Sequence, residues 1–190
     1  MTALFRRNNM KMEPFFYTLT PTAFGKIGII WRQTRPQVLQ IRLNRSQQDV
    51  EDFIRQIYPD STRHVSPETA RLGGLIQCFL EGDAVVFDMD MLAMETCTAF
   101  QRQVLLANAE IDRGSAGTYG GIAKRIGAAG GSRAVGHALA KNPFPIVIPC
   151  HRVVRTNGDI GEYQGGSDMK RALLALEGVA FTDTGKVVIR

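Results

Sequence analysis

Residues 118–140 read TYGGIAKRIGAAGGSRAVGHALA, and this stretch decides the architecture. Thr118 precedes Tyr119-Gly120-Gly121-Ile122-Ala123-Lys124-Arg125-Ile126, which reads as a short helix. Residues 127–131 form a loop with three glycines, Ser132 is placed as an N-cap, and residues 133–140 make a second helix. Helix, tight glycine-containing turn, helix is the helix-turn-helix pattern. Ala134, Gly136, Ala138 and Ala140 give the second helix small side chains, which allow close approach to a backbone or a narrow groove. Arg133 lies in its first turn, the end that faces DNA in such motifs. An ordinary αα-hairpin shares the pattern, so a nucleic-acid reading needs independent support.

Upstream the patterning changes. Residues 15–19, 25–31 and 37–43 read as strands, with Thr34-Arg35-Pro36 as a turn signal between the last two. Ser46 is expected to cap a helix reaching residue 58, with Val50, Phe53, Ile54 and Ile57 at helical spacing. Ser66-Pro67-Glu68 starts another, running to Leu80 and burying Leu72, Leu75, Ile76, Phe79 and Leu80 before Gly82-Asp83 ends it. A short strand is expected at residues 84–87, and Thr98 caps a helix over residues 99–109. The fold class is therefore α+β. A small N-terminal α/β domain, residues 1–92, precedes a mostly helical C-terminal domain, residues 93–190, that carries the helix-turn-helix. Residues 1–13 read as a ragged N-terminus.

The chain has 190 residues, 44% of them hydrophobic, so a packed core is expected. No apolar run reaches the ~18 residues of a membrane span. The first fifteen residues, with Arg6, Arg7 and Lys11, have no signal-peptide core. We expect no membrane association and a cytoplasmic location, or a nuclear one in a eukaryote. Net charge is +5, unevenly placed: residues 1–90 hold 11 Lys/Arg against 10 Asp/Glu, and residues 91–190 hold 12 against 8. Arg113, Lys124, Arg125, Arg133, Lys141, Arg152 and Arg155 lie in a stretch without one acidic residue. Such a one-signed stretch suits a polyanion.

Cys78, Cys97 and Cys150 are too few and too far apart for a disulfide framework or a zinc site. No metal and no cofactor is expected. Cys78 and Cys97 read as packing residues, and His64 and His137 as surface or loop residues. Cys150 is different. Ile146-Val147-Ile148 reads as a buried strand running into Pro149-Cys150-His151-Arg152-Val153-Val154. A free thiol with pKa ~8.5 is mostly protonated at neutral pH and needs a base to become nucleophilic. His151 is adjacent, although neighbours on an extended chain point opposite ways, so contact needs a turn or a bridging water. Glu177, on a helix over residues 168–177, is the candidate to orient His151.

These residues resemble the active-site signature of the O6-alkylguanine-DNA alkyltransferases, or methylated-DNA–protein-cysteine methyltransferases. Phe100-Gln101, Tyr119, Arg133-Ala134-Val135-Gly136, Asn142-Pro143, Tyr163-x-Gly165-Gly166, Lys170 and Leu176-Glu177-Gly178 match the same family in order and spacing. The resemblance is strong over residues 98–178 and only architectural before that. It implies single-turnover DNA repair. An alkyl group moves from O6-alkylguanine, and from O4-alkylthymine, onto Cys150 after the base is flipped out of the duplex.

It also implies roles. His151 deprotonates Cys150 through a water, Glu177 orients His151, and Asn142 braces the link between the DNA-binding helix and the cysteine. Tyr119 assists flipping and donates to the departing O6, and Lys170 assists at the purine. Arg133 fills the gap in the stack, with Ser132, Ala134, Gly136, Tyr119, Lys124 and Arg125 as further DNA contacts. Val153, Tyr163, Leu139 and Gly161 line the base pocket. Double-stranded DNA, bound through its minor groove, is the implied partner of a monomer with no obligate protein partner.

Three features depart from the family pattern: Asp112-Arg113-Gly114 where Pro-x-Gly is common, an acid at Glu162, and the Gly/Ala-rich loop 127–131. Three other readings compete. A non-catalytic protein recognising alkylated bases has no use for Cys150. A cysteine hydrolase needs an oxyanion hole and usually a distant His. A regulator using the helix-turn-helix alone leaves residues 149–154 unexplained.

Overall fold

The computed structural model describes residues 14–33, 37–44 and 48–189. Strands β1 (Phe15–Thr20), β2 (Ile27–Arg32) and β3 (Gln37–Arg42) form an antiparallel meander, and the short β4 (Thr62–Arg63) pairs parallel with β1. The spatial order is β3-β2-β1-β4. A register shift between Ile30 and Trp31 breaks the β2–β3 ladder.

Alternation along β2 divides the sheet's two faces. Ile30 meets Tyr17, Val50 and Ile54 beneath helix α1 (Val50–Ile57), whereas Ile27 and Ile29 enter the main core. Gly28 shares the α1 face, and a Cβ there would sit 2.6 Å from Ile54 Cδ1. Glycine at that position is what lets α1 lie close. Helix α1 is capped by Asp49, whose side chain accepts from the Glu51 amide. The expected earlier start at Ser46, and the Thr34-Arg35-Pro36 turn, fall outside the described residues, as do residues 1–13.

Helix α2 (Pro67–Glu81) starts as its sequence dictates. Ser66 and Thr69 form a capping box, Pro67 occupies the first turn, and Gly82 terminates the helix in the left-handed conformation. Leu72, Ile76, Phe79 and Leu80 are buried, and Leu75 is only partly so. The strand expected at residues 84–87 does not form: the backbone there pairs with no neighbour in a sheet, and Val86 is 92% exposed.

Helix α3 (Ala99–Ala109), capped by Thr98, opens the second half. Strand β5 (Gly117–Thr118) leads into α4 (Tyr119–Arg125), and α5 (Ser132–Ala140) follows the glycine loop. The helix-turn-helix is present, with one correction. Ser132 is the first residue of α5, and Gly131 before it supplies no side-chain cap. Strand β6 (Val153–Val154) pairs parallel with β5, and α6 (Ser167–Leu176) closes the chain's last packed layer. Among the described residues no helix is long and apolar enough to cross a membrane.

One hydrophobic cluster joins the two halves. It runs from Ile29, Ile41 and Phe79 through Val104, Val135 and Phe144 to Cys150 and Leu173. The outer edge of β3 contributes backbone bonds to the same junction: Val38 accepts from Ala93, and Ile41 donates to Pro143 at 2.7 Å. An edge strand covered in this way has no free ladder to offer another chain at those positions.

Candidate active site

Residues 146–148 were expected as a strand, and the structure makes them a turn. Pro145 and Ile148 bridge each other, and the Ile148 amide returns to Phe144 O. Ile146 has φ 76°, a conformation a β-branched residue rarely adopts. The reason is Asn142. Its Nδ2 donates to Ile148 O (3.0 Å) and its Oδ1 accepts from the Phe144 amide (2.9 Å), so one buried side chain replaces the partners a strand would need. Asn108 of α3, also buried, donates to Pro149 O (3.1 Å) and pins the next residue.

The chain then tightens rather than extends. Cys150 donates its amide to Ile148 O, and Cys150–Arg152 form a single turn of 3-10 helix. Cys150 Sγ receives a hydrogen bond from Asn142 Nδ2 at 3.2 Å. Burial pushes the Cys150 thiol above its ordinary pKa, while the Asn142 bond and the Lys170 charge oppose that rise. The group is therefore a thiol at neutral pH and needs a base.

His151 is wholly buried, and burial holds its pKa below the usual imidazole value against the pull of Glu177. Its Nε2 lies 3.1 Å from Glu177 Oε1. A carboxylate only accepts, so Nε2 carries the proton and the free lone pair is on Nδ1. Among the described residues Nδ1 has no hydrogen-bond partner. The ring is edged by Phe79 of α2 and Tyr163, with centroids 5.9 and 6.3 Å away.

Glu177, the C-terminal cap of α6, is bound by Arg152 as well: Nε reaches Oε2 and Nη2 reaches Oε1, both at 2.8 Å. Burial would raise the Glu177 pKa, but the His151 and Arg152 bonds outweigh it and hold it at about 2. Arg152 also donates to Ile111 O. Sequence reasoning counted Arg152 only as surface charge, because its partners lie 25 and 41 residues away. Asn108 and Phe79 were likewise missed as supports of the site, and an Asn inside a helix was the available signal for the first.

A cavity of about 490 Å³ opens beside the sulfur. Cys150 and Asn142 form its buried end, and Arg133 and Ser132, both exposed in the first turn of α5, lie on its rim. Leu139, Gly161 and Tyr163, expected in the base pocket, line it, and so do Tyr119 and Gly136, expected as DNA contacts. Arg155 and Glu162, within the segment 153–163 whose backbone was expected at the pocket, line it too, as does Gln164, for which the sequence suggested no pocket role. Gly161 has φ 72°, so its conformation favours glycine. Burial, with the nearby Cys150, raises the Tyr119 and Tyr163 pKa values, leaving both phenols as proton donors.

Two expected pocket residues are elsewhere. Val153 is completely buried behind the cavity, and its carbonyl accepts from Lys170 Nζ at 2.6 Å. Lys170 is 1% exposed, so its ammonium points at backbone rather than into the open space. Burial lowers its pKa to about 8, which leaves it mostly charged at neutral pH.

The basic stretch is also divided. Arg113 donates to Asp83 O, Gly82 O and Leu176 O and lies over the Phe79 ring, joining the ends of α2 and α6. Arg125 pairs with Glu110 and donates to Ala107 O. Lys124 and Ala134 are exposed on α4 and α5 but do not line the cavity.

The family model for "6-O-methylguanine DNA methyltransferase, DNA binding domain" matches residues 99–179. A methylated-DNA–protein-cysteine methyltransferase of Haemophilus influenzae is 43% identical over 178 residues, covering 92% of each chain. One from Methanothermobacter thermautotrophicus is 49% identical over 105 residues, which is 55% of this chain and 58% of that protein. Among solved structures, Mycobacterium tuberculosis OGT in complex with DNA superposes with a TM-score of 0.69 at 29% identity, covering 86% of this chain and 92% of that one.

Proposed function

Because this chain belongs to the methylated-DNA–protein-cysteine methyltransferase family, we propose that Cys150 is its alkyl acceptor and that the cavity beside it receives a damaged base turned out of the duplex. The protein is a DNA-repair methyltransferase that moves an alkyl group from O6-alkylguanine in DNA to its own cysteine. The observation that carries the residue assignment is the cavity itself, which runs from exposed Arg133 to buried Cys150 Sγ with Tyr119 and Tyr163 between them.

The step balances without a cofactor. His151 Nδ1 takes the thiol proton through a bridging water, and Glu177 and Arg152 fix the ring that receives it. The thiolate, favoured by Asn142 and the Lys170 charge, attacks the alkyl carbon. A sulfur–carbon bond forms, the carbon–O6 bond breaks, and its electron pair leaves with the guanine, which takes a proton from Tyr119. The thioether has no nearby group to cleave it, so each molecule reacts once.

Extruding the base costs a few kcal/mol of stacking and pairing. Arg133 is placed to fill the gap, and the small residues of α5 favour the minor groove. The test is intact mass after incubation with duplex DNA containing O6-methylguanine or O4-methylthymine. A lasting gain of one methyl group, mapped to Cys150 and lost in Cys150→Ser, is expected. Transfer to Cys78 or Cys97 refutes the assignment.

A further inference from the structure

Every cavity-lining residue belongs to the second half of the chain, from Tyr119 onward. The N-terminal sheet nevertheless reaches the cavity through its backbone. Leu43 lies one residue past β3 and is completely buried, so its amide needs a protein acceptor. Gln164 Oε1 is that acceptor, at 3.0 Å. Ile41, two residues earlier on the same edge, donates to Pro143 beside Asn142.

Gln164 sits in a segment that belongs to no helix or strand. Gly161 (φ 72°) and Gly166 (φ 90°) bound it, both in the left-handed region, and no regular element lies between them. The segment carries Glu162 and Tyr163, both on the cavity, and Tyr163 edges the His151 ring. A glycine-bounded segment takes its position from its cross-links. The Gln164 side chain ties this one to a strand that is itself held in a four-stranded sheet.

We propose that Gln164 is a positioning residue: its side-chain carbonyl, held by the Leu43 amide, fixes the Tyr163 wall of the cavity and so sets the fit of the base. The inference rests on reading this cavity as the base pocket. It gives the N-terminal sheet a part in substrate fit, although no described side chain of that sheet lines the cavity.

The experiment uses the full-length protein and two variants. Gln164→Met keeps the shape and loses the acceptor, and Gln164→Glu keeps an acceptor. Single-turnover transfer from the free base O6-benzylguanine gives a half-saturating concentration and a maximal rate. Amide exchange by NMR reports on the Leu43 hydrogen bond. In Gln164→Met we expect Leu43 exchange to be at least tenfold faster, with the β2 amides unchanged. Half-saturation should rise about fivefold, and the maximal rate should fall less than twofold. Gln164→Glu should restore Leu43 protection and bring half-saturation back to within twofold of the unaltered protein.

Faster Leu43 exchange with unchanged half-saturation overturns the proposal, as does a Gln164→Glu protein that behaves like Gln164→Met. Equal losses in both kinetic terms also overturn it, since that pattern marks a general structural defect. If the unaltered protein gains no alkyl group, the base-pocket reading fails instead, and Leu43 exchange still reports on the tether.

Discussion

His151 directs its Nε2 proton at Glu177 Oε1 across 3.1 Å, and neither side chain exposes any surface to solvent. That pairing fixes the tautomer, so the nitrogen able to accept a proton is Nδ1. Glu177→Gln should therefore slow alkyl transfer, on the order of 100-fold, since general-base assistance is worth about 10²–10⁴. Raising the pH should restore part of the rate, because hydroxide then supplies the thiolate. A rate-versus-pH curve unchanged by the substitution would remove Glu177 from the chemistry.

Glu177 also links stability to pH. Its folded pKa, about 2, lies below the ordinary value of 4.5. The stabilisation is thus complete above pH 4.5 and is lost as the pH falls toward 2, and its size is on the order of 3 kcal/mol. Denaturant unfolding of Glu177→Gln across that window should show a correspondingly flatter acid limb.

Asn142 serves the backbone and the sulfur with one amide. Asn142→Ala leaves the Phe144 amide buried without a partner and the Ile148 carbonyl with only the Cys150 amide. The expected loss of stability is on the order of 2–4 kcal/mol. The Cys150 thiol, already raised by burial, should titrate higher still and react about tenfold more slowly, because a hydrogen bond to the charged form is lost. Thiolate absorbance followed against pH checks the direction.

Arg133 lies on the cavity rim at the start of α5 and is exposed. Arg133→Ala should slow repair of duplex DNA by roughly 10-fold or more, matching the few kcal/mol that flipping demands. Reaction with free O6-benzylguanine should change little. Equal losses on both substrates would assign Arg133 to the pocket rather than to the duplex.

Of the seven basic residues between positions 113 and 155, Lys124, Arg133, Lys141 and Arg155 are exposed and make no ion pair among the described residues. DNA affinity should fall with salt on a log–log slope of about −3.6, since each neutralised phosphate contributes about 0.9. Arg113→Ala should leave that slope unchanged and lower Tm by about 5 °C, because its guanidinium holds carbonyls at the ends of α2 and α6. A shallower slope in this variant would place Arg113 on the DNA.

The parts of the fold governed by local chemistry were legible. Thr98, Thr118 and Ser66-Pro67 announce their helices because caps act within three residues. Three of the four sheet strands were read from their apolar patterning, whereas β4 (Thr62–Arg63), only two residues long, carries no pattern to read. Residues 146–148 misled because an apolar run reads as a strand, whereas the Asn142 side chain takes over the strand's hydrogen bonds six residues away. The cysteine, its histidine and Glu177 were readable from residue type and motif. Arg152, Arg113 and Lys170 were not: each is defined by a carbonyl or carboxylate 17 or more residues distant, and a basic residue in sequence looks the same whether it meets DNA or its own backbone.

The bond from Asn142 to Cys150 Sγ also bears on the state of the molecule after transfer. Once sulfur carries carbon it can no longer ionise, so the buried amide that also shapes the turn before it has no charged acceptor to stabilise. The added group takes up the end of the cavity beside the sulfur. Strain placed there falls on a segment holding Ile146 at φ 76° and on the cluster that unites both halves of the chain. An alkyl group on Cys150 would thus load the joint between the two halves of the chain as well as fill the end of the cavity.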